Sequence, residues 1–512
     1  MPSLDVRRSL DVRRPLDVQG LLVLVFLGVM FVGSAVASAQ PANIDTDIWW
    51  HLANGRYILA HGVPSVDIYS FTASGHVWVV HEWLAEVVMY MVYAATGVTG
   101  LVLLAALIVA LGEFLVYSLL RTGGLGATSA VLVAVLLAVA SAPSWGPRPQ
   151  LLNFLFVGIL VTALLRYRRS PGPWIFWLAP FFVLWANLHS GFVVGVGLVV
   201  VFYLGELLQA RTVVMASSRA AGLATLGRRE LRRIPAVAAL ALLAGLLTPG
   251  TYRTLVFALG TLSSQRIQGL IVEWASPDFH TLPGRALMAV LLLLVASAAG
   301  LGRAERRVDV TYLLLGLAGL VLALTSQRHV PIFAACGAPL VGQLVSSLLG
   351  GLGARPRTAR RATTSISRIN LGIAILLAGL AAAYAWTAVS PQALRRAVEA
   401  SAPVAATQYL LDHHRPGQLF NFYNFGGYLI WKAYPTYHVF IDGRTEVYGD
   451  SVFDQYLKVE YLSPEFESTL DHYGVNTVVI SAGDPLRPLL ESQGWRQVYN
   501  DSVARIFVRA SA

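Results

Sequence analysis

Charged residues are scarce in this sequence. They make up 13% of its 512 residues, whereas hydrophobic residues make up 56%. Soluble globular domains carry roughly a quarter of their residues as charged side chains. The composition therefore excludes a soluble enzyme of this length and indicates a protein that crosses a membrane several times.

Cysteine is almost absent as well. The single one, Cys336, lies in an apolar run, so an intrachain disulfide is excluded and cysteine usage does not report the redox compartment. Nucleotide-binding glycine motifs are also lacking, since neither Gly426-Gly427 nor Asp442-Gly443-Arg444 has the spacing of a dinucleotide or phosphate loop. Both are interpreted as structural turns.

A zinc-protease motif begins but is not completed. His81-Glu82 is followed by Ala85 at the position where a second metal-binding histidine would have to stand, so a zinc protease is excluded. Glu82 and Glu86 lie four residues apart, on one face of a predicted helix. Glu82 is either a second acid facing Asp47 or part of a solvated helix face, and for Glu86 the solvated face is preferred.

Long apolar runs are abundant, and Lys and Arg residues are distributed unevenly between them. Eleven runs are close to the ~20 residues that an α-helix needs to cross a bilayer. Threading the chain through them alternately places more than half of the 38 Lys and Arg residues on one side, which predicts that this side is cytoplasmic. The net charge of +10 is thus an orientation signal, and nucleic-acid binding is not expected. The runs cover residues 20–40, 98–120, 126–142, 150–166, 173–188, 191–209, 234–250, 284–302, 310–325, 330–349 and 369–389.

The runs divide the chain into three predicted regions. Residues 1–19 are a basic cytoplasmic tail, residues 20–389 are an all-α transmembrane body, and residues 390–512 are a small external α/β domain. The body includes a long external loop at 41–97, in which two amphipathic helices are predicted near 47–61 and 81–95. We expect a multi-pass protein of the plasma (inner) membrane with its amino terminus in the cytoplasm and its carboxyl-terminal domain outside, or in the periplasm. The small residues that end run 20–40 also resemble a signal-peptide cleavage site, but the length of the run favours an uncleaved span.

Beyond residue 390 the pattern changes to short β-branched and aromatic segments that alternate with helical stretches. Such alternation is typical of a small α/β domain. Strands are predicted at 418–423, 438–441, 475–480, 495–499 and 505–508, and helices near 403–413, 450–460, 464–473 and 484–493.

The stretch of residues 43–56, directly after the first apolar run, crowds acids, a histidine and paired tryptophans together. Asp45 and Asp47 are two residues apart, and Asp47, His51 and Asn54 share one face if a helix begins here. Ionisable clusters close to a membrane are costly, which favours chemistry for Asp47 and His51. Asp45 is explained equally well as a helix cap.

Candidate phosphate-binding residues lie in other connections on the same predicted side. An external arginine close to the hydrocarbon can bind the phosphate of a lipid headgroup, with a neighbouring histidine as a second donor. For Arg328, in a short connection between two spans, phosphate binding is preferred. For Arg148 and Arg266, anchoring of a span end or pairing with a nearby acid is an equal alternative. The candidate substrate-binding residues are Arg328, His329, Arg148, Arg266, His189 and Glu273.

An Asp just after the first span, a long first external loop, about eleven spans and a terminal external α/β domain together resemble the GT-C superfamily of membrane glycosyltransferases. That superfamily includes the protein O-mannosyltransferases and the lipid A aminoarabinose transferases. Local strings are in addition similar to a group of bacterial membrane proteins usually placed beside the superfamily. These strings cover residues 45–52, 67–72, 78–84, 185–192, 426–429 and 440–444.

In the superfamily the loop Asp is the catalytic base, so the resemblance implies this role for Asp47 or Asp45. His51 and Glu82 are the further catalytic candidates. The Trp-Trp-Asp signature of oligosaccharyltransferases is missing, because Trp49-Trp50 is followed by His51. This argues against en-bloc transfer of a glycan to asparagine.

The resulting hypothesis is a GT-C-type glycosyltransferase that moves a sugar from a polyprenyl-phosphate-linked donor to a hydroxyl of an external lipid, glycan or protein acceptor. Membrane lipids are its surroundings, and no nucleic acid is expected as a partner. No cofactor is assigned, and a divalent metal is left open. The alternatives are a transporter or flippase of a lipid-linked or anionic substrate, and a non-catalytic envelope assembly or scaffold protein.

Overall fold

The chain forms a helical body followed by a smaller C-terminal unit that contains a sheet. The computed structural model describes residues 18–215, 225–263, 272–301, 308–351, 368–414 and 417–509. The helical body ends at Val389, and the C-terminal unit is defined here as residues 391–509.

Helices dominate the body because every backbone N–H and C=O inside a bilayer must be paired within its own segment. The largest hydrophobic cluster lies between these helices and includes the buried side chains of Val157, Phe182 and Phe333. The α-helices run over Val18–Ser38, Ile48–His61, Trp83–Thr122, Ala127–Ser141, Leu151–Arg169, Leu178–Leu188, Phe192–Met215, Arg228–Leu231, Arg233–Leu243, Tyr252–Ser263, Leu282–Leu301, Val310–Thr325, Val330–Gly351 and Arg368–Val389. Short 3-10 helices cover Pro41–Asn43, Ala142–Ser144, Pro173–Trp177, Ala244–Leu247, Val272–Trp274 and Gln327–His329.

Within the described ranges, seven helices are long and apolar enough to cross a membrane, or eight if the pair Arg228–Leu247 and Tyr252–Gly260, bent by 107°, is one span. The chain is thus an integral, multi-pass membrane protein, but the predicted count of eleven spans is not confirmed. The segments Pro173–Leu188 and Val310–Thr325 are helical and apolar, yet shorter than the ~20 residues that a crossing helix needs.

The first long connection carries the helix Ile48–His61, close to the predicted 47–61. It then leads into Trp83–Thr122, which joins the predicted helix 81–95 and the predicted span 98–120 into one element of 40 residues. Gly97 interrupts this element with φ 66°, a left-handed conformation that glycine adopts without steric cost. The kink therefore lies at the predicted boundary between loop and span.

The C-terminal unit contains a four-stranded sheet in the order β1-β2-β4-β3. Strand β1 is Gln418–Asn421, β2 is Val475–Ser481, β3 is Arg496–Asn500 and β4 is Ala504–Val508. Strand β1 pairs with β2 in parallel, and the other two pairings are antiparallel. The helices of the unit are Pro391–Ser401, Val404–His413, Gly426–Ala433, Thr445–Glu460, Phe466–His472 and Arg487–Ser492, with a 3-10 helix at Tyr423–Phe425.

The predicted strand at 438–441 is wrong. This segment is not part of the sheet. It instead lies alongside the first long connection, where Val439 forms a parallel bridge with Ser70. The Val439 N–H donates to the Tyr69 carbonyl at 3.1 Å, and the Phe71 N–H donates to the Val439 carbonyl at 3.2 Å. The segment has the composition of a strand, but its hydrogen-bond partner comes from a distant part of the chain.

The first long connection and the C-terminal unit share one hydrophobic core, in which Trp49 of the connection meets Tyr428 of the unit with ring centroids 5.2 Å apart. Arg444 of the unit fastens the two parts: its Nη1 donates to Asp67 and its Nη2 to Asp442, both at 2.6 Å. The Arg444 guanidinium also lies 4.6 Å from the ring centroid of Trp78. The C-terminal unit is therefore held directly against the connection that carries the candidate catalytic residues.

Candidate functional site

A cavity of about 550 Å³ lies where the helical body, the first long connection and the C-terminal unit meet. It gathers polar residues that are far apart in the sequence. The walls include Asp47, His51, His81 and Glu82 from the first connection, Arg148, His189, Glu273, Arg328 and His329 from later connections, and Tyr423, Gly443 and Glu446 from the C-terminal unit. Arg266 falls outside the described residues.

Asp45 and Asp47 differ in how far their carboxylates are engaged. One oxygen of Asp45 accepts the Asp47 N–H at 2.8 Å, and the other pairs with Arg148. Asp47 stands at the amino end of the helix Ile48–His61, but its side chain makes no capping hydrogen bond. The Asp47 side chain is 27% exposed, and its ion-pair contact with Arg148 Nη1 is long, at 4.0 Å. Asp47 is therefore the more available of the two carboxylates.

The surroundings of Asp47 favour its protonated form. Burial raises the pKa of Asp47 to about 6, Glu273 adds to the increase, and His51 opposes it. A carboxyl group that titrates close to neutral pH is ionised enough to accept a proton and basic enough to hold it.

Glu82 lies among three imidazoles and not on a solvated helix face. Its Oε1 lies 2.9 Å from His81 Nε2 and 3.3 Å from His189 Nε2, and its Oε2 lies 3.6 Å from His51 Nδ1. His189 was predicted to donate a hydrogen bond to a substrate phosphate. In the structure its Nε2 faces the Glu82 carboxylate instead. The contacts place Glu82 next to His51, and a position facing Asp47 stays a prediction.

Hydrogen bonds and charge define the protonation of this cluster. His189 Nδ1 accepts the Gly191 N–H at 2.8 Å, so the proton of its neutral ring is on Nε2, and burial lowers the pKa of His189 to about 3. Burial would also lower the pKa of His81, but Glu82 outweighs that effect and raises it to about 9. Burial would raise the pKa of Glu82, but the positive charge of His81 outweighs that effect and holds the pKa low. Glu82 is thus an ionised carboxylate beside a charged His81 and a neutral His189.

The preferred interpretation of Glu86 as a solvated residue is wrong. Its side chain is 1% exposed. It accepts a hydrogen bond from Asn54 Nδ2 at 2.6 Å, and His51 Nδ1 lies 3.2 Å from it. The helix face that carries Glu86 is covered by the helix Ile48–His61, and periodicity alone does not show which helix face a distant element will cover.

A metal could be held by His51, Glu82 and Glu86. One ligand atom from each lies within 4.8 Å of the others, and imidazole and carboxylate are suitable ligands for divalent transition metals. Asp45, Asp47 and Glu273 form a second group of carboxylates, but the guanidinium of Arg148 lies among them. The first group thus fits a metal by distance, whereas the second already surrounds a cation.

Arg328 is held in place by neutral groups. Its Nη2 donates to Gln150 Oε1 at 2.6 Å, and its guanidinium lies 4.3 Å from the ring centroid of Trp274. Within the described part of the chain, no carboxylate forms an ion pair with Arg328. His329 packs edge-on against Trp274 at 5.7 Å between ring centroids, and its buried Nδ1 has no hydrogen-bond partner among the described residues. This corner of the cavity therefore offers positive charge and a free ring nitrogen.

Arg148 and Glu273, both predicted to bind substrate, bind each other. Arg148 Nη1 donates to Glu273 Oε1 at 2.5 Å. Arg148 thus differs from Arg328, whose charge has no carboxylate partner in the described ranges.

Sequence reasoning missed the contact between Asp47 and Gly443. A Cβ at Gly443 would touch the Asp47 carboxylate and would lie 3.0 Å from Trp50 Nε1. The turn Asp442-Gly443-Arg444 was interpreted as a structural turn, but it forms a wall of the site. The sequence feature that could have indicated this wall is a glycine between two charged residues, Asp442 and Arg444, which are both buried. The sequence does not show which residue the glycine contacts.

Comparison with protein-family models and with curated proteins finds no match. Solved structures do match, and the likeness covers 96% of this chain and 74% of theirs. One is the archaeal oligosaccharyltransferase AglB from Archaeoglobus fulgidus in complex with an inhibitory peptide and a dolichol-phosphate, with a TM-score of 0.58 and 12% identity. The oligosaccharyltransferase of the same organism matches in its apo form (TM-score 0.57, 14% identity) and tethered through a disulfide to an acceptor peptide with an NVT sequon (0.53, 12%). At these identities the likeness concerns the fold, and the chain has the fold of the GT-C membrane glycosyltransferases.

Proposed function

We propose that the protein is a membrane glycosyltransferase that moves a sugar from a polyprenyl-phosphate-linked donor to a hydroxyl group of an acceptor at the external face. The observation that carries the proposal is one cavity that holds both an available carboxylate, Asp47, and an arginine without a carboxylate partner among the described residues, Arg328. The fold supports it, since proteins of this fold have been solved with a dolichol-phosphate and with an acceptor peptide.

Asp47 acts as the general base. The acceptor oxygen attacks C1 of the sugar and forms the new C1–O bond, while the bond from C1 to the phosphate oxygen breaks and the phosphate leaves with its electron pair. The acceptor proton passes to the Asp47 carboxylate. An unactivated hydroxyl is a weak nucleophile, so a carboxylate within hydrogen-bond reach is needed. We assign this step to Asp47 because both oxygens of Asp45 are already engaged.

Arg328 binds the donor phosphate and stabilises the charge that develops on it as the bond breaks. A guanidinium offers a planar fork of N–H donors that matches phosphate oxygens, and a donor fixed in advance needs no rearrangement during the reaction. Gln150 and Trp274 hold Arg328 without neutralising it. His329 packs against the same Trp274 ring, beside Arg328.

The cluster of His51, Glu82 and Glu86 influences the charge of Asp47 through His51. His51 is four residues after Asp47 and opposes the increase in its pKa, so it helps to keep a fraction of Asp47 ionised. A metal bound by His51, Glu82 and Glu86 would supply further positive charge beside Asp47, and no step above depends on it.

The external placement of the site rests on the distribution of Lys and Arg residues. More than half of them lie in the connections on the opposite side of the predicted spans, which favours a cytoplasmic position for that side. Polyprenyl-phosphate donors would then reach Arg328 from the outer leaflet.

The test is transfer activity of the purified full chain with polyprenyl-phosphate-linked hexoses and a panel of hydroxyl acceptors, with release of polyprenyl phosphate as the readout. Asp47→Asn should lower turnover about 10²- to 10⁴-fold, the usual effect of losing a general base. Asp45→Asn should cost less. Asp412→Asn, at an exposed carboxylate of the C-terminal unit, is the matched control and should not change turnover. If Asp47→Asn and Asp45→Asn both keep the parental turnover, the first connection does not contain the base and the proposal fails.

A further inference from the structure

Three carboxylates from two separate connections converge on one guanidinium. Arg148 pairs with Asp45, its Nη1 lies 2.5 Å from Glu273 Oε1, and the same nitrogen lies 4.0 Å from Asp47 Oδ2. Asp45 and Asp47 precede the helix Ile48–His61, and Glu273 belongs to the 3-10 helix Val272–Trp274. We call Asp45, Asp47 and Glu273 the carboxylate trio.

Oxygen ligands from several carboxylates are the arrangement that binds hard divalent cations. Such a group of like charges is unfavourable without a cation, because each carboxylate raises the free energy of ionising the next. In this protein a side chain supplies the cation. Arginine suits the position because its guanidinium stays charged at any physiological pH and offers several donors in a fixed plane.

We propose that Arg148 is the built-in cation of the carboxylate trio, and that its guanidinium occupies the position at which a divalent metal would otherwise bind Asp45, Asp47 and Glu273. The native protein then binds no metal at these three carboxylates. Arg148 pairs at short range with Asp45 and Glu273 and leaves Asp47 at the longer distance. It thereby positions the trio while keeping one carboxylate available.

Arg148 also contributes to the charge of the cavity. Its side chain is 21% exposed and lies on the cavity wall. Its removal would leave three carboxylates around a vacated space, with Arg328 as the neighbouring guanidinium. A small divalent cation should enter that space, because it would meet the same oxygens that now surround the guanidinium.

The test counts bound Mn²⁺ by electron paramagnetic resonance on the purified full chain. Four proteins are compared: wild type, Glu273→Gln, Arg148→Ala, and Arg148→Ala with Glu273→Gln. Any Mn²⁺ held by His51, Glu82 and Glu86 is common to all four and cancels in the comparison. We expect Arg148→Ala to bind about one Mn²⁺ more than wild type, the double variant to lose it, and Glu273→Gln to leave the wild-type count unchanged. Arg148→Lys, which keeps the positive charge, should gain no Mn²⁺.

Two results would overturn the inference. A wild-type Mn²⁺ count that falls with Glu273→Gln would show that a metal already binds the trio, and an Arg148→Ala protein that gains no Mn²⁺ would show that the trio is not a cation site. If Arg148→Ala does not fold, Arg148→Gln, which is closer in size, replaces it. Counting Mn²⁺ requires no transfer activity, so this inference and the proposed function can fail separately.

Discussion

Arg444 and Arg148 both lie among carboxylates, but only Arg444 is sealed from the cavity. The side chains of Arg444, Asp67 and Asp442 are all 0% exposed. Arg148 is 21% exposed and forms part of the cavity wall. The same pairing chemistry therefore serves two purposes: a sealed cluster fixes two parts of the chain to each other, whereas an open one presents charge to whatever enters the cavity.

In the sealed cluster, each nitrogen of the Arg444 guanidinium donates a hydrogen bond to Asp442 or Asp67. Burial alone would lower the pKa of Arg444, but Asp442 and Asp67 outweigh it and raise the pKa, so the guanidinium stays charged. Asp442 also accepts the Tyr448 hydroxyl, and Asp67 accepts the Ser70 N–H at 3.0 Å. Breaking such a cluster leaves buried charges uncompensated, which is costly.

The largest expected effect is therefore on stability. Arg444→Met should lower the free energy of unfolding by about 3 to 5 kcal/mol, the range for removing one partner of a buried ion pair. Arg395→Met is the matched control: Arg395 is 81% exposed and pairs with Glu399 one turn away, so its loss should cost no more than about 0.5 kcal/mol. Denaturant unfolding in detergent, followed by tryptophan fluorescence, measures both. Equal losses for the two variants would mean that Arg444 does not fasten the C-terminal unit.

The next largest effect is expected at Gly443, which stands between Asp442 and Arg444 in the sequence and contacts Asp47. Gly443→Ala would place a methyl group against the Asp47 carboxylate and displace it. Since a misplacement of about 1 Å can cost about 10²-fold in rate, turnover should fall on that order without loss of folding. Gly483→Ala, where a Cβ would meet no heavy atom within 4 Å, is the control and should behave as wild type. Parental turnover in Gly443→Ala would show that the turn does not position Asp47.

The smallest expected effect concerns phosphate binding by Arg328, which lies near Arg148. Arg328→Ala should weaken binding of undecaprenyl phosphate by about 1.5 to 3 kcal/mol, the range for hydrogen bonds to charged groups. Arg328→Lys should lose less, because it keeps the charge and loses only the fork. Arg253→Ala, at an exposed arginine, should leave binding unchanged. Titration calorimetry distinguishes the three, and equal binding by the Ala and Lys variants and wild type would make Arg328 a structural anchor.

The local part of the site could be predicted from the sequence. The positions of Asp47 and His51, one helical turn apart, indicated a polar cluster behind the first span, and the helix there spans almost the predicted residues. The apolar runs likewise indicated a membrane protein. Spacing and composition are local properties, and these features depend on nothing more.

The long-range part could not be predicted. Arg444 is 377 residues from Asp67, and the segment around Val439 leaves the sheet to pair with the first connection. Glu86 was misassigned for the same reason, since the element that buries it could not be identified from its own helix. The predicted span count is higher than that of the described ranges because apolar runs such as 173–188 and 310–325 were counted as spans. The apolar segments there have the predicted bounds but are shorter than the ~20 residues that a crossing helix needs.

The matched solved structures are oligosaccharyltransferases, whereas the absence of Trp-Trp-Asp from this sequence argues against transfer to asparagine. Trp49-Trp50 is instead followed by His51, which is buried among Glu82 and Glu86 and belongs to the region of the proposed base. A shared fold does not define the acceptor, because function depends on the site residues. A hydroxyl acceptor therefore stays the proposal.

The most direct test of Asp47 as the base is the pH dependence of single-turnover transfer. Asp47 accepts a proton only when ionised, and burial raises its pKa to about 6, so the wild-type rate should rise with pH through about 6 and then level off. Asp47→Asn should be slower at every pH and should lack this rise. A rise with the same midpoint in Asp47→Asn would contradict the account, because another group would then be the base.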